Sequence, residues 1–68
     1  MSKKNVFTKR ELQIIGEVAK GKTSQDISEK LEISIHTVNT HRRKALKKVG
    51  VSNTISLLNY CEKENISI

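Results

Sequence analysis

The chain has 68 residues, a formal net charge of +6, one cysteine and no proline. A chain of this length buries only about 60% of its unfolded surface, so it forms one small core without room for an enclosed cofactor pocket. Cys61 is the single cysteine, which excludes an internal disulfide. No stretch is long and apolar enough to span a bilayer and no signal peptide is apparent, so we expect a cytoplasmic protein with no membrane partner.

The chain begins with a polar, basic segment, residues 1–6, that we expect to be a flexible tail. The first helix is predicted to begin at Thr8, because Thr8 and Glu11 have the T-x-x-E spacing of a capping box. Gly21 is predicted to end it, since glycine is common just after the last helical residue. The buried stripe of this helix is predicted to be Ile14, Ile15, Val18 and Ala19.

A short second helix is predicted to begin from Thr23 or Ser24, both of which suit an N-cap. Ile27 and Leu31 are four residues apart and are expected to face the core. A turn of only a few residues separates this helix from a third one, which begins at Ser34. Two helices joined by so short a turn are typical of a helix-turn-helix.

The third helix, from Ser34 to Lys48, is basic and has two different faces. Val38 and Ala45 lie on its inner stripe, where we expect His41 to be structural rather than a ligand. Between residues 33 and 61 the chain has five basic residues and no acidic one. The outer face carries cations, amides and hydroxyls: His36, Asn39, Thr40, Arg43, Lys44 and Lys47. Such groups bind phosphates and read base edges, so we expect this helix to enter a DNA major groove.

Side-chain chemistry predicts different roles on this outer face. Arg43 can donate two hydrogen bonds to guanine O6 and N7, or can bind a phosphate alone. Asn39 can pair with adenine N6 and N7, or can remain solvated. Thr40 offers its methyl group to thymine or its hydroxyl to a phosphate, and His36 either donates to a phosphate or is solvated.

A fourth helix is predicted to begin from Ser52 or Asn53, after Gly50 has ended the third. It is apolar on more than one side, whereas the terminal helix of a small domain needs only one apolar stripe. We therefore expect a homodimer through this helix; the alternative is that all its apolar side chains join the core. The expected dimer contacts are Ile55, Leu57, Leu58 and Cys61.

The remaining charged residues are expected to be structural. Arg10, Glu11 and Lys48 are predicted to form an intramolecular ion-pair set. The acids of the second helix are expected to form a solvated face rather than a metal site: Asp26, Glu29 and Glu32. The sequence has no nucleophile–base pair, no metal-ligand cluster and no phosphate-binding glycine loop, so we expect neither an enzyme nor a bound cofactor.

Three segments together resemble the LuxR-type helix-turn-helix domain of bacterial transcriptional regulators: FTKRELQII from residue 7, AKGKTSQDISEKLEIS from residue 19 and TVNTHRRKALKKVGV from residue 37. The resemblance implies an all-α, four-helix domain over residues 7–64, followed by a short tail over residues 65–68. It implies double-stranded DNA binding as a dimer, alone or as the effector half of a response regulator. The implied base contacts are Asn39, Thr40 and Arg43. The implied phosphate contacts are Thr23, Ser24 and Thr37, with Lys44 and Lys47 as further candidates.

The chain departs from the pattern of that family at several positions. Asn39 stands where lysine is common, which removes one cation from the outer face. Ala45 replaces a larger aliphatic residue, which Leu46 can compensate. Thr54 stands where arginine is usual, so the role of that arginine in the family does not carry over to this chain. Leu57 replaces a usual alanine in the fourth helix, so dimer packing can differ here.

Three functions fit these patterns. The first is the DNA-binding domain of a bacterial transcriptional regulator, with two copies of the third helix in successive major grooves roughly 34 Å apart. The segment RKALKKV also resembles the last helix of sigma-factor region four, which would add RNA polymerase as a partner. His41, Gly50 and Val51 argue against that second function. The third is a basic helical module that binds an acidic protein.

Overall fold

The computed structural model describes residues 6–68, which form four α-helices and no strand. The helices are α1 (Lys9–Ala19), α2 (Ser24–Leu31), α3 (Ile35–Val49) and α4 (Thr54–Lys63). The predicted all-α architecture is confirmed. Apart from Val6, the tail expected over residues 1–6 lies outside the described residues. Within residues 6–68, no helix is long and apolar enough to cross a membrane.

Each helix begins at a side chain that caps it, and the four N-caps are Thr8, Thr23, Ser34 and Asn53. The predicted capping box is present, because the Glu11 amide donates to Thr8 Oγ1 at 3.1 Å and the Thr8 amide donates to Glu11 Oε1 at 3.0 Å. Thr23 and Asp26 form a second capping box, which the sequence analysis did not anticipate. These hydrogen bonds join residues three positions apart, so the start of each helix is defined by its local sequence.

The helices end in left-handed residues that turn the chain sharply. Gly21 has φ +88° and Gly50 has φ +72°, values that glycine adopts without steric cost. The turn between α2 and α3 uses Glu32 instead, with φ +58°, and the Ile33 amide donates to the Ser28 carbonyl at 3.0 Å. This reversal lets α3 begin four residues after α2 ends, as a helix-turn-helix requires.

One part of the core joins α1, α2 and α3. Its centre is Ile14, Ile27 and Val38, which are each at most 1% exposed. Partly buried aliphatic side chains surround it: Val18, Leu31 and Ile33. This cluster holds the helix-turn-helix against α1. The inward positions predicted for Ile27, Leu31 and Ile14 are confirmed.

A second cluster joins α1, α3 and α4 around the fully buried Ala45. Its other buried members are Phe7, Ile15, Leu57 and Cys61. Phe7 also meets the ring of Tyr60 edge to face, with centroids 6.5 Å apart. Leu46 packs against the same cluster, in keeping with the expectation that it fills space beside the small Ala45. Ala19, predicted to extend the buried stripe of α1, is instead exposed in the last turn of that helix.

The residues expected to form a C-terminal tail, 65–68, pack against the domain. The Ile66 amide donates to the Cys61 carbonyl at 2.9 Å, and the Ile66 side chain contacts the second cluster. Gly16 of α1 lies against Ile68, since a Cβ at Gly16 would be 3.3 Å from the Ile68 carbonyl carbon. Residues 65–68 are therefore packed against the domain rather than forming a separate tail.

An ion pair links α1 to the C-terminal half of α3. Lys48 Nζ lies 2.6 Å from Glu11 Oε1, and the Glu11 side chain is only 2% exposed. Burial alone raises the pKa of Glu11, but the hydrogen bonds from Lys48 and from the Thr8 amide outweigh it and lower the pKa below its usual 4.5. The predicted pairing of Glu11 with Lys48 is confirmed. Arg10 does not enter this pair.

We predict that Glu11→Gln lowers the free energy of unfolding by about 1–2 kcal/mol at pH 7, because it leaves Lys48 without its anionic partner. A carboxylate with a lowered pKa in the folded state stabilises the protein above pH 4.5, and this stabilisation is lost as the pH falls through the lowered value. Urea unfolding of both proteins should therefore show a gap at pH 7 that narrows as the pH falls below 4.5.

Glu29→Gln is the matched control, since Glu29 is exposed on α2. It should leave the unfolding free energy within about 0.5 kcal/mol of the parent protein. A gap between Glu11→Gln and the parent that stayed constant down to pH 3 would contradict the role given to the ion pair.

Candidate nucleic-acid interface

The two faces of α3 differ in burial as strongly as in composition. Val38 and Ala45 on the inner face are fully buried. The basic residues of the outer face are exposed: His36, Arg43, Lys44 and Lys47. His41 lies between the faces, half-buried and close enough to Glu11 to help lower the pKa of that carboxyl. His41 is thus half-buried rather than on the fully buried stripe where it was expected, and the basic outer face is open.

The first turn of α3 is tied together by hydroxyl groups. Ser34 Oγ accepts from the Thr37 amide at 3.0 Å and lies 2.9 Å from Thr37 Oγ1. The predicted phosphate ligand Thr37 thus has a local partner and is half-buried. His36 is beside it and exposed, at the end of the helix where orphan amides favour an anion.

Two of the predicted base contacts, Thr40 and Arg43, lie against each other one turn further along. Thr40 Oγ1 donates to the His36 carbonyl at 2.9 Å and accepts from Arg43 Nη2 at 3.4 Å. Because the hydroxyl proton of Thr40 is used within α3, the methyl group is the part left to contact a base. Arg43 keeps most of its guanidinium donors free, as bidentate pairing with guanine needs.

The third predicted base contact, Asn39, meets the N-terminus of α2. Ser24 Oγ donates to Asn39 Oδ1 at 2.8 Å. The structure thus brings together a residue expected at a phosphate and a residue expected at a base. Both are half-buried, so α2 and α3 form one continuous surface at this corner.

The start of α2 offers backbone amides to an anion. Thr23 Oγ1 accepts from the Asp26 amide, and the Asp26 carboxylate accepts from the Thr23 amide, both at 3.1 Å. Hydrogen bonds from the backbone and side chain of Thr23 lower the pKa of Asp26. The next two amides, of Ser24 and Gln25, lie in the first turn, where a helix supplies no acceptor. These amides can bind a phosphate oxygen.

Arg42 is a residue of this corner whose role the sequence pattern does not reveal. Its Nη1 donates to Ser24 Oγ at 2.8 Å, and its Nη2 donates to Thr54 Oγ1 at 3.0 Å. It therefore connects α2, α3 and α4. The sequence marks Arg42 only as one basic residue among five, since its partners lie 18 and 12 residues away and follow no helical period.

The acidic residues of the helix-turn-helix lie on α2 and at its C-terminal cap. Asp26, Glu29 and Glu32 are all exposed, which fits the solvated acidic face predicted for them. Lys30 lies among them, 2.7 Å from Glu17 Oε2 of α1, and its hydrogen bond is the main cause of a lowered pKa of Glu17. Within residues 6–68, no group of three or more His, Cys, Asp or Glu side chains could hold a metal ion.

The four residues expected at a dimer interface fall into two groups. Leu57 and Cys61 are buried in the second cluster, at 4% and 0% exposure, so they do not reach the surface. Ile55 is 73% exposed and Leu58 is partly buried. The prediction was wrong for Leu57 and Cys61 because the apolar spacing along α4 does not show which of its apolar stripes faces the core. A partner chain would meet Ile55 and Leu58.

Known proteins are similar to this chain in sequence and in fold. Residues 5–61 match the luxR family of bacterial regulatory proteins. The chain is 41% identical over 60 residues to the transcriptional regulatory protein LiaR of Bacillus subtilis, and 34% identical over 61 residues to the oxygen regulatory protein NreC of Staphylococcus aureus. These alignments cover 88% and 90% of this chain, and the chain spans 28% of the length of each relative.

The fold is similar to that of the response regulator ChrA of a heme-sensing two-component system, with a TM-score of 0.85. That alignment covers 97% of this chain and 33% of the other, at 24% identity. The likeness is one of fold, and it places the four helices in the arrangement found in a response regulator.

Proposed function

Because the chain belongs to the luxR family of bacterial regulatory proteins, whose helix-turn-helix domains bind DNA, we propose that it binds double-stranded DNA sequence-specifically, with α3 in the major groove. The resemblance described from the sequence and the family match cover nearly the same residues. Membership favours this function over a polymerase-docking module or a protein-interaction module. As part of a bacterial regulator, the domain acts in the cytoplasm and associates with the nucleoid when bound.

The observation that carries the proposal is the single surface formed by α3 and the start of α2. It combines exposed cations, which neutralise phosphates, with the methyl group of Thr40 and the amide group of Asn39. Cations fix position on the duplex, whereas amide and guanidinium groups distinguish base pairs. No acid of the chain lies on the outer face of α3.

The parts of this surface have separate roles in the proposal. Arg43, Asn39 and Thr40 contact bases. The backbone amides at the start of α2, including that of Ser24, bind one phosphate together with the Thr23 hydroxyl. Phosphates on the other side of the groove meet the remaining outer residues: His36, Thr37, Lys44 and Lys47.

The proposal includes pairing of two copies through α4. Ile55 is a large aliphatic side chain left 73% exposed, and Leu58 beside it is partly buried. Two such faces bury each other in a twofold arrangement. That arrangement carries two copies of α3 to half-sites one helical turn apart.

We predict that Arg43→Ala reduces discrimination at one base pair by about 1–3 kcal/mol, because it removes the bidentate donor. Lys47→Ala is the matched control on the same helix; it should weaken binding to all duplexes alike and lower the slope of log affinity against log salt by about 0.9. The measurement is the dissociation constant for a duplex selected from a random pool and for its single-base variants, at several salt concentrations. Affinity that did not change with salt would refute the proposal.

We predict that Ile55→Lys abolishes pairing, because it places a charge in each half of an apolar contact. Sedimentation velocity with a two-half-site duplex, at a protein concentration too low for two unpaired copies to fill both half-sites, should then show one copy per duplex in place of two. Ser52→Lys adds the same charge at an exposed position before α4 and should leave two copies bound. Two copies bound by the Ile55→Lys protein would show that another surface pairs the domain.

A further inference from the structure

Arg42 is fixed by two helices at once, although it lies on a third. Its guanidinium donates through Nη1 to Ser24 Oγ at 2.8 Å and through Nη2 to Thr54 Oγ1 at 3.0 Å. The residue is half-buried and lies beside the core, together with Ile15 and Leu57. Unlike its neighbours Arg43 and Lys44, it is therefore held inside the domain and does not extend to the outer face.

A directed chain of hydrogen bonds runs from this guanidinium to Asn39. Arginine has donors only, so Ser24 Oγ must accept from it. The same hydroxyl then gives its one proton to Asn39 Oδ1, 2.8 Å away. A nearby positive charge strengthens the hydroxyl as a donor and attracts the oxygen end of the amide rather than the NH₂ end. Asn39 is thereby held in one of its two amide orientations.

The amide orientation matters because it decides what a base edge meets. A flip of the asparagine amide exchanges a donor for an acceptor. Adenine presents N7 as an acceptor beside a donating N6 amino group, whereas guanine presents two acceptors, N7 and O6. An asparagine that populates both orientations matches neither edge consistently.

We propose that Arg42 is a positioning residue that, through Ser24, holds the amide of Asn39 in a single orientation and so sets the base preference at the pair that Asn39 reads. This inference rests on the proposed function, in which Asn39 faces a base pair. Arg42 itself need not touch DNA. Its effect is confined to the one pair read by Asn39.

Thr54 supplies the second anchor of the guanidinium. Its hydroxyl oxygen accepts from Arg42 Nη2 at 3.0 Å, which a basic side chain at this position could not do. Thr54 and Arg42 therefore act as a matched pair in this chain. Thr54→Val, which keeps the shape and removes the acceptor, should loosen the guanidinium and weaken the same base preference to a smaller extent.

The test uses the full chain and a duplex that it selects from a random pool, together with every single-base variant of that duplex. The pair read by Asn39 is identified as the one at which Asn39→Ala loses discrimination. At this pair Arg42→Met should reduce discrimination from about tenfold or more to within about twofold, and discrimination at the other pairs should be retained. Ser24→Ala, which keeps the charge of Arg42 but breaks the chain of hydrogen bonds, should do the same. Adding Arg42→Met to Asn39→Ala should change nothing further at this pair.

Lys44→Met is the matched control, because it removes the same charge from an exposed position on the same helix. It should weaken binding to every duplex by a similar factor and leave the preference at the Asn39 pair unchanged. Circular dichroism at the assay temperature checks that each variant is folded. If Arg42→Met is unfolded, Ser24→Ala decides the question.

Two results would overturn the inference while leaving the proposed function intact. One is wild-type discrimination at the Asn39 pair in both folded variants, or in Ser24→Ala alone if Arg42→Met does not fold. The other is an equal loss of discrimination at every pair, which indicates a general structural role. If the parent protein selects no duplex from the pool, the proposed function fails and the inference fails with it.

Discussion

Two consecutive residues of α1, Ile14 and Ile15, hold the recognition helix of this domain. Ile14 belongs to the cluster that includes Val38, and Ile15 belongs to the cluster that includes Ala45. Val38 and Ala45 are two turns apart on α3 and are both fully buried. The helix is thus fastened at two points along one stripe, which fixes its rotation about its own axis. Every outer residue owes its direction to this constraint.

Polar contacts refine what the apolar clusters establish. The ion pair of Lys48 with Glu11 closes the C-terminal half of α3 onto α1. At the other half, Arg42 and Ser24 connect α3 with α2 and lead to Asn39. Such bonds contribute little to net stability compared with apolar burial, but they have direction. In the function proposed here, they hold side chains in the direction of the bases.

Much of the fold can be predicted from local patterns. N-caps, glycines at helix ends and the 3.6-residue periodicity each depend on residues only a few positions apart. The family resemblance is confirmed by the match over residues 5–61. What local patterns miss is set by distant contacts. Leu57 and Cys61 are apolar, which suits either the core or a dimer contact. Only their packing in the cluster around Ala45 assigns them to the core. In the sequence, Arg42 is one basic residue among five. Its role follows only from its hydrogen bonds to Ser24 and Thr54. The base contacts of Asn39, Thr40 and Arg43 remain predictions.

The most direct test of the central claim is a titration of the isotopically labelled domain with a duplex at low salt, followed by two-dimensional NMR of the backbone amides. We expect the largest shift changes on the outer face of α3 and at the start of α2, around Ser24, Asn39 and Arg43. Amides beside Ile14 and Ile15 on α1 should change little, because the core keeps its packing. Changes centred on α1 instead, with α3 unaffected, would contradict the account.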